Sequence, residues 1–119
     1  MMLDDLFSYR TFEPSDDGAH ALVELNPQAA LFAGHFPAKS VLPGVAQQFI
    51  VRSVAQRKLG RALYCTSVRE VKFLSPVLPA EDYVLEVDMS LTPKEKSWAA
   101  QATIRSGESL KMKFRATFE

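Results

Sequence analysis

Between Val45 and Leu59 the apolar residues Val45, Ala46, Phe49, Ile50, Val54, Ala55 and Leu59 recur at spacings of three and four. That is the period of a helix, and no Gly or Pro interrupts it. Pro43-Gly44 stands at the entrance. Gly60 stands where a left-handed C-terminal cap is wanted, and Arg57 and Lys58 put positive charge in the last turn. The spacing predicts one central helix over about 44–59.

Beyond the helix the pattern changes to alternation. Ala62–Leu74 alternates in part and ends at Ser75-Pro76, and Pro79–Asp82 is a turn by composition. Tyr83, Leu85, Val87, Met89 and Leu91 share one side of the next segment, with Glu86, Asp88 and Ser90 on the other, as in a half-buried strand. Thr92–Lys96 turns the chain. Ser97–Arg105 and Leu110–Phe118 are the last two predicted strands; in the final one Lys111, Lys113 and Arg115 share the polar face. Before the helix, Phe7, Tyr9 and Thr11 alternate with polar partners and predict a first strand within Leu3–Phe12. Glu13–Gly18 reads as a turn, and Ala19–Leu25 as a second strand stopped by Asn26-Pro27. Gln28–Phe32 is short enough for a single helical turn.

One long helix followed by antiparallel strands requires a sheet that curls round the helix to bury it, which makes the fold α+β. The 119 residues are read as one domain, 1–119, with no repeat or linker. Fourteen basic and fourteen acidic side chains cancel, so no global field argues for nucleic acid or a membrane surface. No apolar run approaches the length of a membrane span, the first residues lack a signal-peptide pattern, and the chain reads as cytoplasmic. A single cysteine, Cys65, offers no disulfide and no metal-ligand cluster; it is expected to be a small buried hydrophobe. His20 shows no constellation around it, and Trp98 is expected in the core.

Candidate chemistry gathers at the helix entrance. Gly44 and Val45 fall where backbone N–H groups have no intrahelical acceptor, a place that can hold a carbonyl oxygen or an anion. His35 lies a few residues upstream, in a loop that Gly34 and two prolines shape. A neutral imidazole near pH 7 is a competent base for an acidified C–H bond.

These residues carry a resemblance. Gly34-His35-Phe36-Pro37, five intervening residues, then Pro43-Gly44-Val45 resembles the signature of hot-dog-fold 3-hydroxyacyl-[acyl-carrier-protein] dehydratases. The run Leu42-Pro43-Gly44-Val45-Ala46-Gln47 is similar to the small dehydratase-like proteins of aryl-polyene gene clusters. The resemblance implies a hot-dog fold, with the central helix wrapped by an antiparallel sheet. It also implies dehydration of a 3-hydroxyacyl thioester in fatty-acid-like or aryl-polyene synthesis. His35 would remove the C2 proton, the Gly44 and Val45 amides would hold the thioester oxygen, and Phe36, Pro43, Gln48 and Phe49 would line the substrate. No metal or organic cofactor is expected, because the substrate arrives on the phosphopantetheine arm of acyl carrier protein.

One departure decides the alternatives. The family places a catalytic Asp or Glu on the helix fourteen positions after the histidine, and that position here is Phe49. In the family the histidine and the acid meet across a dimer interface, so the expected partner is a second hot-dog chain, in a homodimer or a heterodimer. Arg52 shares a helix face with Phe49 and could pair with a partner's carboxylate. Arg52, Arg57, Lys58, Arg61 and Lys72 could meet an acidic carrier, although solvated surface charge is the simpler reading. The rival class is a non-catalytic subunit that binds the carrier or pairs with an active homologue. An acyl thioesterase is a third reading, which the absent carboxylate also weakens.

Overall fold

The computed structural model describes residues 3–32 and 41–119. Six strands and one long helix follow one another as β1 (Phe7–Ser15), β2 (Gly18–Leu25), α1 (Gly44–Leu59), β3 (Cys65–Phe73), β4 (Val84–Pro93), β5 (Trp98–Ser106) and β6 (Ser109–Phe118), with a 3-10 turn at Ala30–Phe32 before the helix. All the strands join one sheet in the order β1-β2-β4-β5-β6-β3, and every pairing is antiparallel. The helix lies across β2 and β4.

The helix stays in place because one arc of its surface is apolar. Ala46, Ile50, Val51, Val54 and Ala55 are buried, while Val45, Arg57 and Gly60 are exposed. Gly60 ends it with φ +67°, a conformation that costs a residue with a Cβ roughly 1 kcal/mol or more, and its N–H returns to the Gln56 carbonyl at 2.8 Å. The facing strands offer alternate residues of matching character. Ala19, Ala21, Val23 and Leu25 come from β2, Leu85, Val87, Met89 and Leu91 from β4, and Ala102, Ile104, Phe114 and Phe118 from β5 and β6. Alanines beneath a helix let its axis approach, and the larger side chains to either side fill the remaining space.

The helix matches the predicted span, and each predicted strand is present with shifted ends. The turn expected over Glu13–Gly18 shrinks to Asp16 and Asp17, because β1 runs on through Pro14. A proline is tolerated there, since β1 is an edge strand and a missing N–H costs it no ladder bond. Likewise β4 continues to Pro93, paired with Trp98, through residues that composition assigned to a turn.

Other expectations are corrected. Cys65 is exposed rather than buried, because it opens the outermost strand, β3. Trp98 packs against the core but is only half-buried, with the Arg61 guanidinium 5.2 Å from its ring centre. Lys111 leaves the polar face of β6. The register slips between Ile104 and Arg105, which pair with Met112 and Leu110, so Lys111 is the extra residue of a bulge and turns inward beside Met112.

That bulged lysine closes a polar knot under the β3–β4 connection. Lys111 Nζ lies 3.2 Å from Asp82 Oδ2 and donates to the Pro76 carbonyl at 3.1 Å. Asp82 also accepts from the Leu78 amide at 2.9 Å and from the Ser106 hydroxyl at 2.7 Å. Burial alone would raise the Asp82 pKa, but the Leu78 amide, the Ser106 hydroxyl and Lys111 together outweigh it and bring it below the ordinary 3.8. The carboxylate therefore contributes stability that is fully present above about pH 5 and is lost as the pH falls through the lowered folded value. Asp82→Ala is expected to cost about 3–5 kcal/mol by leaving Lys111 charged and unpaired in the interior. Adding Lys111→Met should recover much of that loss, and both variants should lose part of the wild type's acid sensitivity. Urea unfolding of the four chains at neutral and acid pH measures this double-mutant cycle.

Candidate functional site

The helix entrance is built by the β3–β4 connection and by the helix itself. The Leu42 amide donates to the Val77 carbonyl at 2.9 Å, fixing the segment that leads into Pro43. Pro43 is the N-cap, extended at φ −60° and ψ 150°, with no side-chain cap. Its carbonyl accepts from the Ala46 and Gln47 amides at 3.0 and 3.1 Å. The two amides ahead of these, Gly44 and Val45, have no acceptor among the described residues, and a prolyl cap supplies none. Gly44 is half-buried and Val45 is 54% exposed. Free donors at the positive end of a helix dipole are able to hold a carbonyl oxygen or an anion.

Phe73, the last residue of β3, lies over Gly44. A Cβ at position 44 would stand 2.4 Å from Phe73 Cζ, so only glycine lets this ring and the helix entrance approach so closely. Leu42, Pro43, Gly44, Gln47, Phe73 and Pro76 enclose a depression of about 360 Å³.

Gln47, rather than Gln48, is the amide built into this corner. It is 3% exposed, and its Nε2 donates to the Leu42 carbonyl at 3.3 Å. Its Oε1 is buried with no donor among the described residues. The sequence held a signal for this: Gln47 falls three and four residues before Ile50 and Val51, on the buried arc. Gln48 stands one step round the helix and is half-buried.

Phe49 is half-buried and packed against the core, edge-on to Phe7 with ring centres 6.3 Å apart. The Arg52 guanidinium lies 5.7 Å from the Phe49 ring centre, and Arg52 Nε is buried without an acceptor among the described residues. No residue of α1 is acidic. Of the cations considered for a carrier surface, Arg57 stacks over Tyr9 and Phe12 at 4.6 and 5.1 Å, and Lys58 donates to the Ser15 carbonyl. Their stems and charges are therefore held by β1, not merely solvated. Lys72 lies 3.9 Å from Glu70 on β3. His35 and Phe36 lie outside the described residues. His20 corrects the expectation of an isolated ring: its Nε2 is 2.8 Å from Glu86 Oε2, and that hydrogen bond, with Asp88 and Glu13 nearby, raises its pKa against the opposing effect of burial.

A helix laid across a single antiparallel sheet, with bare amides at its entrance, is the hot-dog architecture. The same fold occurs in an uncharacterized protein from Erwinia carotovora subsp. atroseptica (TM-score 0.69, 22% identity, 94% of this chain and 92% of that one). It occurs too in the dehydratase heterocomplex ApeI:P from Xenorhabdus doucetiae (TM-score 0.67, 24% identity, 94% and 96%). In sequence, the chain is 31% identical over 81 residues to the 3-hydroxyacyl-[acyl-carrier-protein] dehydratase FabZ of Klebsiella pneumoniae, covering 60% of this chain and 54% of that protein. It thus spans about half the length of the curated relatives it matches. The ApeI-like family, described as ApeI dehydratase, matches residues 11–115, and the chain belongs to that family. Among the described residues no helix is long and apolar enough to cross a membrane.

Gly44→Ala is expected to displace the Phe73 ring while costing only about 1 kcal/mol, because that ring is half-exposed and free to swing. The check is the Phe73 ring resonances together with the melting temperature. Shifted resonances with a small fall in melting temperature are the expected result.

Proposed function

We propose that this chain is the histidine-bearing subunit of a 3-hydroxyacyl-[acyl-carrier-protein] dehydratase in aryl-polyene or fatty-acid-like synthesis, completed by a second hot-dog chain that supplies the acid. The observation that carries the reading is Phe49. An apolar ring packed edge-on to Phe7 occupies the position of the family's carboxyl group, on a helix with no acidic residue. A phenyl group cannot protonate a departing hydroxyl.

The chemistry divides between two chains. The thioester carbonyl sits on the Gly44 and Val45 amides, which stabilise negative charge on its oxygen as the C2–H bond breaks. His35 takes that proton. The C3–O bond then breaks, the double bond forms between C2 and C3, and the hydroxyl leaves as water with a proton from the partner's carboxylic acid. Acid–base steps alone balance the reaction, so it draws on no cofactor beyond the phosphopantetheine arm that carries the substrate. Pro43, Gln48, Phe36 and Phe49 line the acyl path in this reading, and the setting is cytoplasmic.

Support for a partner comes from β3. One side of this strand pairs with β6, and at the sheet's edge Val68, Val71 and Phe73 are exposed, flanked by Tyr64 and Leu74. Val41 and Val45 extend the apolar surface to the helix entrance. An apolar edge of this length invites another strand. The ApeI:P structure, whose name describes a heterocomplex, is a precedent for two dehydratase chains assembling. FabZ, named for its acyl-carrier-protein substrate, is the precedent for the carrier. The rival reading, a subunit that contributes no catalytic group, draws on the same Phe49.

The test is incubation with 3-hydroxyacyl-carrier protein, alone and with a co-encoded hot-dog dehydratase, followed by intact mass. Loss of water is expected only, or far faster, in the mixture. In that mixture His35→Ala should lower turnover about 10²–10⁴-fold with the melting temperature unchanged. Full activity of the mixture containing His35→Ala would assign this chain the non-catalytic role. Fast turnover by the purified chain alone would defeat the partner's part in the proposal.

A further inference from the structure

The face of the sheet turned away from α1 holds a second group of chemically capable side chains, independent of the dehydratase reading. His20 on β2 is the direct cross-strand partner of Asp88 on β4, and Glu86 precedes Asp88 by two residues, so all three project from the same face. His20 Nε2 lies 2.8 Å from Glu86 Oε2 and 3.9 Å from Asp88 Oδ1, and the three donor atoms lie within 4.8 Å of one another. Glu13 on β1 is the cross-strand partner of His20 on its other side. Glu13, His20 and Asp88 all line an open depression of about 710 Å³, which Lys113 and Arg115 close at its far end.

The geometry points to a binding site for a divalent transition-metal ion of the zinc type, held by His20 Nε2, Glu86 and Asp88, with its remaining position open to the depression. Zinc bonds of about 2.0–2.2 Å to nitrogen and oxygen in a tetrahedron put neighbouring donors about 3.3–3.5 Å apart. The two measured separations from the imidazole, 2.8 and 3.9 Å, fall on either side of that value. Movements of about half an ångström in partly exposed side chains are enough to meet it. The backbone does the coarse placement, because a cross-strand pair and an i, i+2 neighbour converge on one point without any loop.

Charge argues in the same direction. Three carboxylates, Glu13, Glu86 and Asp88, surround one imidazole. Arg105 stands opposite Glu86 in the β4–β5 register, yet no ion pair joins them among the described residues. A proton on His20 brings one positive charge to this group, whereas a divalent ion held by His20, Glu86 and Asp88 brings two. The donor set also selects the ion. Carboxylates alone suit calcium or magnesium, and an imidazole among them shifts the preference toward zinc and its neighbours.

The test is calorimetric titration of the chelator-stripped chain with zinc chloride. One ion per chain is expected, with affinity falling by at least about 10–100-fold in His20→Ala and in Asp88→Asn, the least expected for losing a direct ligand. Both variants keep His35 and Cys65, so binding that survives in them places the ion elsewhere and overturns the site. Absence of saturable binding to the wild-type chain overturns it too, and leaves an ordinary ion pair. Melting curves in chelator confirm that each variant is folded, and Glu86→Gln gives an independent third ligand test should either fail.

Discussion

Burial of one arc of α1 against β2 and β4 is the contact on which the other features depend. Ala46, Ile50, Val51, Val54 and Ala55 leave water together with the strand residues that face them, and at roughly 25 cal/mol per Å² such burial dominates the favourable side of folding. The same contact fixes the direction of the helix axis. It therefore decides where the Gly44 and Val45 amides point and how closely Phe73 can lie over them. Position 47 follows from it as well: a glutamine on the buried arc must find hydrogen bonds inside the protein, and it finds Leu42.

The sheet outgrows the helix, and this gives the molecule two different flanks. At one flank β1 is tied to the helix by its aromatic side chains. Tyr9 and Phe12 stack with Arg57, and Phe7 meets Phe49, so three of its side chains are held by α1. At the other flank β3 is exposed along nearly its whole length, Val68, Val71 and Phe73 included, and it meets α1 where Phe73 lies over Gly44.

The Lys111–Asp82 pair shows how this fold accommodates a buried charge. Neighbours from distant parts of the sequence satisfy this pair. Lys111 and Asp82 are joined by Ser106, Leu78 and Pro76, which ties β6, the end of β5 and the β3–β4 connection together. An apolar pair of the same volume would be comparably stable, but it would not fix the register of a bulge.

The helix was legible in the sequence because its determinants are local: a period of 3.6, a Pro-Gly entrance and a glycine cap act within a few residues. The alternation of Leu85, Val87, Met89 and Leu91 was legible for the same reason, and so was the motif from Pro43 to Val45. Strand ends were less so, since Pro14 and Pro93 read as turns until their edge and end positions are known. What only the tertiary structure decided is cross-strand register and order. The slip between Ile104 and Arg105 turned Lys111 inward, the outermost place of β3 left Cys65 exposed, and the pairing of β2 with β4 brought His20 to Glu86 and Asp88 from 66 residues away. Local periodicity sets which face a side chain takes, whereas its neighbours on that face are set by hydrogen bonds between strands distant in sequence, and no short stretch of sequence contains them.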